Sequence, residues 1–370
     1  MLAVMDELHP RAVEFCALAP AAGPLFAALK QRGISCQPWH VVDRSGQRLS
    51  RSELTRRLVD FAASTGVDIV HANSLSMSRM LGAAASRITQ PCCGHLRDIL
   101  RLSRGAVADL NGNTRLLAVS QATRTFHTQQ GVDPQRVDVL YNGVDCSRFQ
   151  PRPRNASLRA EFGAGPDSLL VLQIGQISLR KAQDVYVAAA VRTAVLCPQM
   201  QFIVVGQRHS QKRESIEFEQ SLMRQVEAAA LQHRIQLLGR RDDIPQLMNS
   251  SDVLVHTARQ EPLGRVLLEA GASGLPIVAT GVGGTREIFP DASSAIVVPP
   301  DDIDAISTTL VQLADSHRQR SRLAAAARQR VCERFVSQQS ATALHACWQS
   351  LTAGQCPSAD PESSAAEGLL

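Results

Sequence analysis

Two glutamates, Glu261 and Glu269, flank a predicted helix start at Gly264 that follows an apolar run ending near His256. A glycine there lets a ligand approach the backbone, and the unpaired first amides and the helix dipole favour an anion such as a diphosphate. Carboxylates accept hydrogen bonds from pairs of hydroxyls, so these two suit diols on both sides of that diphosphate. The combination favours a nucleotide-sugar ligand. From spacing alone, the alternative is that Glu261 caps the helix and Glu269 is an exposed helix residue.

A second segment, Gly175–Asp184, follows the first predicted strand of the second half and leads into a helix. It therefore occupies the carboxyl end of a parallel strand, where open α/β sheets bind ligands. Its Lys181 is one of three lysines in the chain and could neutralise a leaving diphosphate. The alternative is a solvated charge at a helix start. A glycine cluster at 281–284 is a weaker phosphate signal of the same kind.

The elements that must position these residues alternate between short apolar strands and amphipathic helices along most of the 370 residues. This rhythm predicts parallel sheets covered on both faces, an α/β fold of two doubly wound Rossmann-like domains facing across a cleft. The proline-containing stretch Gln150–Asn155 is the predicted linker. The predicted domains span 1–152 and 165–335, and residues 353–370 are predicted to be a disordered tail.

Composition excludes several classes of protein. The net charge is +5, and residues 1–150 carry all of it, with 17 Lys and Arg against 12 Asp and Glu. That excess is too weak for a dedicated nucleic-acid binder, although it suits anionic ligands or an anionic membrane face. The nine cysteines form no CxxC pair, which predicts buried free thiols in a reducing compartment. With no recognisable signal peptide or membrane span, we expect a cytoplasmic protein, with peripheral association on the inner membrane face left open.

These segments together resemble the retaining glycosyltransferases of family 4, which have the GT-B fold. The resemblance runs from about residue 10 to 350, and its most specific part is EPLGRVLLEAGASGLPIVATGVGGTREI, from Glu261 to Ile288. Supporting matches are Ala118-Val119-Ser120, Asn142-Gly143-Val144-Asp145 with Phe149, and Gly239–Asp243. The resemblance also implies that the closing helix, 336–352, packs back on the first domain.

The resemblance assigns roles to particular residues. Glu261 would contact the transferred sugar and Glu269 the ribose. His95 would lie near the sugar from the first domain, with a buried histidine that has only a structural role as the alternative. The remaining donor-side positions are Lys181 and the amides of Leu263 and Gly264 at the diphosphate, Gly239 and Arg240 at the base, and Gly175 and Gln176 in the loop below. On the acceptor side we expect Asn73 and Arg97, with Asn73 in a plain structural turn as the alternative. The implied donor is a UDP- or GDP-linked sugar, the acceptor is a glycan or lipid-linked hydroxyl, and no cofactor or metal is expected.

Two departures from the family pattern stand out. Gln176 occupies the place of a usual arginine, so one of the two cations that would face the leaving group is missing. Such a loss can raise the activation barrier by on the order of 3 kcal/mol. The usual first strand and its Gly-Gly loop also have no counterpart, because Met1–Leu8 resembles the helix that follows them and Arg11–Leu18 the second strand. The hypothesis that accounts for the missing first strand is a misplaced start codon or a truncated gene.

The leading interpretation is a retaining, metal-independent hexosyltransferase in which Glu261, Lys181 and His95 are the catalytic residues. The alternatives are a nucleotide-binding remnant that has lost turnover, and a nucleotide-sugar epimerase of the same fold. A Rossmann-type oxidoreductase is disfavoured because no strand is followed by GxGxxG. Asp302 and Asp304 imitate a metal-binding carboxylate pair, but their position predicts helix capping instead.

Overall fold

The computed structural model describes residues 1–9, 12–43 and 45–354, so the predicted tail from 355 onward lies outside the described residues. The chain divides into two compact units: Met1–Tyr141 together with the segment from Ser337, and Asn142–Val336. The strands are β1 Cys16–Ala19, β2 Ser35–Pro38, β3 Val70–Ala72, β4 Cys92–Leu96, β5 Arg115–Ala118, β6 Val137–Val139, β7 Leu169–Ile174, β8 Met200–Val205, β9 Ile235–Leu237, β10 Val253–His256, β11 Ile277–Thr280 and β12 Ile296–Val298. The helices are α1 Leu2–Leu8, α2 Pro24–Gln31, α3 Arg51–Thr65, α4 Leu75–Ala84, α5 Arg104–Asn111, α6 Gln121–Thr128, α7 Ala156–Glu161, α8 Gln183–Leu196, α9 Arg213–Ala228, α10 Ile244–Ser250, α11 Arg265–Ala272, α12 Thr285–Ile288, α13 Ile303–Asp315, α14 His317–Arg334 and α15 Ser337–Thr352.

The first unit contains two parallel sheets, β1-β2 and β3-β4-β5-β6. Strand β4 is buried along its whole length, as a strand covered on both faces must be. His71 in β3 pairs in register with Cys93 in β4, so the carboxyl ends of these neighbouring strands meet at one edge of the sheet. Helix α1 comes before β1, which is the order that the sequence predicts for this segment.

Several helices begin at the signals that the sequence provides. Ser50 accepts a hydrogen bond from the amide of Glu53 and starts α3, which then ends at Gly66 in a left-handed conformation. Ser74 and Ser120 cap α4 and α6 in the same way. These hydroxyls satisfy first-turn amides that would otherwise lack partners. Helices α4 and α6 each start three residues after the end of the preceding strand.

The second unit is a six-stranded parallel sheet in the order β12-β11-β10-β7-β8-β9. The chain starts at the centre with β7, moves outward to β8 and β9, and then returns to the other side of β7 with β10. Strand order therefore reverses between β7 and β10, and the crevice at the carboxyl ends of two such strands is where open α/β sheets bind ligands. The core of this sheet is fully buried, with Leu170, Leu172 and Leu254 at 0% exposure.

The predicted linker differs from the structure. The chain passes from the first unit to the second between Tyr141 and Asn142, and Gln150–Asn155 lies inside the second unit. The amide of Arg152 donates to Asn249 at 2.7 Å, and Asn155 caps α7. The prolines thus support an extended segment that is held against α10 by hydrogen bonds. Helix α15 belongs to the first unit, where it packs against α1.

No helix among the described residues is long and apolar enough to cross a membrane. The eight described cysteines are free thiols, and Cys92, Cys93 and Cys197 are buried. Cys356 lies outside the described residues.

Candidate active site

The loops that follow β7 and β10 meet at the reversal point of the second unit's sheet. Lys181 ends a short 3-10 turn after β7, and Glu261 lies in the loop between β10 and α11. Thr257 ties the two loops together by donating to the carbonyl of Ala182 at 2.8 Å, while Gln173 donates to Thr257 at 2.8 Å. Two predicted site residues from distant parts of the sequence are therefore held side by side.

Glu261 lies at the centre of a buried cluster with Lys181 and His256. The Nζ of Lys181 forms an ion pair with its Oε2, and the Nε2 of His256 lies 2.8 Å from the same oxygen. Glu261 is only 5% exposed. Burial raises the pKa of its carboxyl, but the hydrogen bond from His256 and the charge of Lys181 outweigh burial and lower the pKa to about 2. The carboxylate is therefore ionised at neutral pH, and Lys181 and His256 both contact the same oxygen.

Burial lowers the pKa of both bases in this cluster, His256 and Lys181. Burial lowers the pKa of His256, and the nearby charge of Lys181 lowers it further. Burial also lowers the pKa of Lys181, against the opposing effect of Glu261. A neutral His256 carrying its proton on Nε2 can donate to the carboxylate, so this tautomer fits the observed contact. The cluster then contains one negative and one positive charge.

The glycine cluster that follows β11 supports the Glu261 loop. A Cβ on Gly283 would lie 1.8 Å from the carbonyl oxygen of Glu261, and its φ is +51°. The amide of Gly284 donates to that same carbonyl at 3.1 Å. Only glycine permits this approach, so the segment predicted as a weak phosphate signal packs directly on the backbone of the Glu261 loop.

Helix α11 starts at Gly264, whose φ of +109° is a glycine conformation. No side chain caps this helix, so Glu261 does not act as its cap. Leu263 is 2% exposed and fixes the entry of the loop into the helix. The first-turn amides of α11 therefore lack a side-chain partner, as the sequence prediction of an anion-binding helix start requires.

Glu269 is not an exposed helix residue, because only 12% of its side chain is accessible. It pairs with Arg265 at 2.9 Å, one turn earlier on α11. Burial raises the pKa of its carboxyl, while Arg265 and Arg148 lower it. Both alternatives that spacing alone left open, a capping Glu261 and an exposed Glu269, are therefore wrong.

Three glycines line the carboxyl edge of β7, β8 and β9. The amide of Gly206 donates to the carbonyl of Gly239 at 2.8 Å. A Cβ on Gly206 would lie 1.9 Å from the carbonyl oxygen of Gly175. Arg240 follows Gly239 and pairs with Asp242 at 2.9 Å on the surface. The sheet edge beside the Glu261 cluster is thus formed by closely packed backbone.

Gln176 is exposed, and its backbone carbonyl accepts a hydrogen bond from Gln183 at 3.0 Å. The neighbouring cation Arg180 donates to the carbonyl of Gln260 at 3.3 Å, directly before Glu261. Arg180 and Lys181 therefore both reach the loop after β10, although they are adjacent in sequence. A second positive charge lies near the cluster in spite of the neutral Gln176.

In the first unit, His95 lies at the carboxyl end of β4 and is 2% exposed. Its Nδ1 is 2.9 Å from the Nε2 of His71 and 3.5 Å from a guanidinium nitrogen of Arg97. Asn73 follows β3 and is exposed. Of the three site residues predicted in this unit, His95, Arg97 and Asn73, the structure therefore brings the first two into contact.

Sequence reasoning did not assign a role to His256, to Gly206 or to the pairing of His71 with His95. His256 ends β10 and Gly206 directly follows β8, whereas His71 and His95 lie within β3 and β4. Polar residues at or next to the carboxyl ends of strands are a signal that points to His256 and His95, but that signal does not point to Gly206. Asp302 caps α13 by accepting from the amide of Ala305 at 2.8 Å, which confirms the capping prediction. Within the described residues, no group of three or more His, Cys, Asp or Glu side chains could hold a metal ion.

Two family models together span most of the chain. "Glycosyltransferase Family 4" matches residues 1–148, and "Glycosyl transferases group 1" matches residues 155–330. In three dimensions the chain matches Anabaena HepE, solved in complex with UDP and glucose, with a TM-score of 0.83 and 25% identity over 94% of each chain.

The chain belongs to the GT-B glycosyltransferase superfamily.

Curated relatives include the lipopolysaccharide core biosynthesis mannosyltransferase LpsB of Rhizobium meliloti, 30% identical over 58% of this chain and 60% of that protein. A D-inositol 3-phosphate glycosyltransferase of Thermomonospora curvata is 27% identical over 78% of this chain and 75% of that protein. The match thus spans less than two thirds of LpsB. A GT-B fold of two α/β units with parallel sheets is what the sequence predicts, and the structure confirms it.

Proposed function

We propose that this protein transfers a sugar from a nucleotide-sugar donor to a hydroxyl acceptor, with retention at the anomeric carbon. The observation that carries the proposal is the Glu261 cluster. An ionised, buried carboxylate is held through one oxygen by Lys181 and His256, beside the uncapped start of α11. The second carboxylate oxygen is then available for sugar hydroxyls, and the helix start suits a diphosphate.

In the proposed reaction, the acceptor hydroxyl oxygen attacks the anomeric carbon as the bond from that carbon to the β-phosphate oxygen breaks. Attack comes from the face that the leaving group departs, and the hydroxyl proton passes to the departing phosphate oxygen. Lys181 has three N–H donors and uses one on Glu261, so two remain for the diphosphate. The amides of Leu263 and Gly264 complete the diphosphate site. Glu261 orients the sugar, and Glu269 accepts from the ribose hydroxyls.

The donor class that we propose first is a UDP-linked sugar, with a GDP-linked sugar second. HepE is described with UDP and with UDP-glucose, whereas LpsB is a mannosyltransferase. The base would lie against the backbone at Gly239 and Arg240, and Gly175 and Gln176 would form the floor of the site. The acceptor would be a glycan or lipid-linked hydroxyl near Asn73 and Arg97, and the chemistry would need no metal or cofactor.

Gln176 supports one alternative, a protein that binds the nucleotide-sugar but turns it over slowly. A neutral side chain in this loop removes one charge that could stabilise the leaving diphosphate, which is worth on the order of 3 kcal/mol. Arg180 lies beside Gln260, close enough to the same loop to replace that charge. The alternative predicts normal donor binding with turnover reduced by more than a hundredfold, whereas our proposal predicts ordinary turnover.

The proposal is tested by thermal-shift titration with UDP, GDP, ADP and their common sugar conjugates. A ligand at 100 times its dissociation constant stabilises the protein by about 2.7 kcal/mol. Glu269→Gln should abolish the shift, because the amide cannot accept from both ribose hydroxyls in the same way. The matched control is Glu217→Gln on α9, whose side chain is 54% exposed and pairs with Arg213 on the surface. A shift with one base, lost in the first variant and kept in the second, supports the proposal. No shift with any nucleotide contradicts it.

A further inference from the structure

A chain of three hydrogen-bonded rings leads from α15 to His95 in the first unit. The Nε1 of Trp348 lies 3.1 Å from the Nδ1 of His71, and the Nε2 of His71 lies 2.9 Å from the Nδ1 of His95. All three rings meet edge to face, with centroids 5.4 Å apart at the first contact and 4.9 Å at the second. We refer to Trp348, His71 and His95 as the histidine relay.

The direction of the histidine relay follows from the chemistry of its first member. An indole N–H can only donate, so the Nδ1 of His71 must accept and carries no proton. A neutral His71 then has its proton on Nε2, and this N–H donates to the Nδ1 of His95. A neutral His95 must in turn carry its proton on Nε2. One tryptophan N–H thus fixes the tautomers of two histidines.

Arg97 is compatible with the same assignment. Its guanidinium nitrogen, 3.5 Å from the Nδ1 of His95, can only donate, so it faces a nitrogen that carries a lone pair and no proton. Burial lowers the pKa of His95, and the charge of Arg97 lowers it further. The same two causes lower the pKa of His71 to about 3. Both rings are therefore neutral at pH 7, as the relay requires.

The remaining members of the site hold the relay rigid. Trp348 is 6% exposed and packs edge to face on Phe15 at 6.0 Å. His95 is fixed in β4, where Ser78 donates to its carbonyl at 3.0 Å. The structure records no hydrogen bond for the Nε2 of His95 within its described residues. Among the described residues, this N–H is the end of the relay that is left for a ligand.

We propose that Trp348 and His71 are positioning residues that set His95 as a hydrogen-bond donor through Nε2, and not as a base, toward an oxygen of the substrate. This role rests on the proposed function, since the oxygen that receives the hydrogen bond belongs to the donor sugar or the acceptor. In that role His95 takes up no proton during the reaction. The acceptor proton must then leave by way of the departing phosphate.

The tautomers are tested directly by long-range ¹H–¹⁵N correlation spectra of the full chain labelled at histidine nitrogen, at pH 7 and without substrate. We expect Nε2–H patterns for His71 and His95, assigned by their loss in His71→Gln and His95→Asn. Trp348→Phe removes the indole N–H but keeps a ring, and should convert His71 to a mixture of tautomers. A proton on the Nδ1 of either histidine in the unsubstituted protein overturns the relay.

The positioning role of His71 is tested with a matched pair of substitutions at position 71. His71→Gln keeps an N–H donor near the place of Nε2, whereas His71→Met fills similar space without one. We expect His71→Met to lower kcat by roughly threefold to tenfold, the effect of one hydrogen bond between neutral groups, with KM for the donor little changed. His71→Gln should restore most of kcat. Equal kcat in both variants and the unsubstituted protein would overturn the positioning role.

The two tests separate this inference from the proposed function. Loss of nucleotide binding would remove the substrate but would leave the tautomers of the free protein as they are. Tautomers other than those expected would overturn the relay even if sugar transfer proceeds normally.

Discussion

His256 offers the sharpest test of how the buried Glu261 is held. We predict that His256→Leu lowers the free energy of unfolding by about 2 kcal/mol, because a hydrogen bond to a charged group contributes roughly 1.5–3 kcal/mol. His256 is 2% exposed and Glu261 is 5% exposed, so water cannot replace the lost donor. For a unit of this size, the melting temperature should fall by about 4–8 °C.

The matched variant is His256→Gln, whose side-chain amide can place an N–H close to the position of the histidine Nε2. It should recover most of the stability that His256→Leu loses. Thermal unfolding followed by circular dichroism measures both, and titration with UDP-glucose tests whether each variant binds this nucleotide-sugar as the unsubstituted protein does. The proposed role of His256 is refuted if His256→Leu melts at the same temperature as the unsubstituted protein. It is refuted equally if His256→Gln loses as much stability as His256→Leu, since the donor would then be irrelevant.

Three further changes test other parts of the account. The pKa of His71 is lowered from 6.5 to about 3. The stability that the folded protein gains from a neutral, buried His71 is therefore complete above pH 6.5 and is lost as the pH falls from 6.5 toward 3. His71 alone should therefore make the protein about 2 kcal/mol less stable to urea at pH 5 than at pH 7.5. The buried His95 and His256, whose pKa values are also lowered, add to this difference. His71→Gln should reduce the difference by about 2 kcal/mol, and equal differences in both proteins would show that His71 does not contribute. Gly283→Ala should cost more than about 1 kcal/mol by urea unfolding, because its Cβ would meet the carbonyl of Glu261, whereas Gly165→Ala, whose nearest contact is 3.8 Å, should be neutral. Lys181→Met should lower kcat by about a hundredfold or more in a coupled assay for nucleotide release, and an unchanged kcat would exclude Lys181 from leaving-group stabilisation.

The strands of the second unit were predictable because their residues form continuous apolar runs. The apolar runs at 168–174 and 201–205 predict two strands, which correspond to β7, Leu169–Ile174, and β8, Met200–Val205. Parallel strands covered on both faces leave this pattern in the sequence. The sequence pattern predicts a helix over 181–196, but α8 starts two residues later, at Gln183, because Ala182 adopts a left-handed conformation after the 3-10 turn at Lys181.

The candidate site was only partly predictable. Glu261 and Lys181 are indicated by their places after buried strands, but the sequence does not show that they bond to each other. His256 ends an apolar strand, and its contact with a carboxylate five residues later depends on the path of the loop. The helix Arg104–Asn111 was not predicted, since it is only eight residues long. Contacts between distant residues, such as Trp348 with His71, depend on tertiary packing and leave no local pattern.

Sugar transfer with retention is tested most directly by measuring the anomeric configuration of the sugar at the moment it is released. The nucleotide-sugar that shifts the melting temperature most is mixed with the protein, water serves as the surrogate acceptor, and anomeric protons are followed by ¹H NMR before mutarotation. From an α-linked donor, the account predicts that the α-anomer of the free sugar appears first and that Lys181→Met slows its appearance. First appearance of the β-anomer would contradict retention, and conversion of the donor into an epimer without release of the nucleotide would contradict sugar transfer itself.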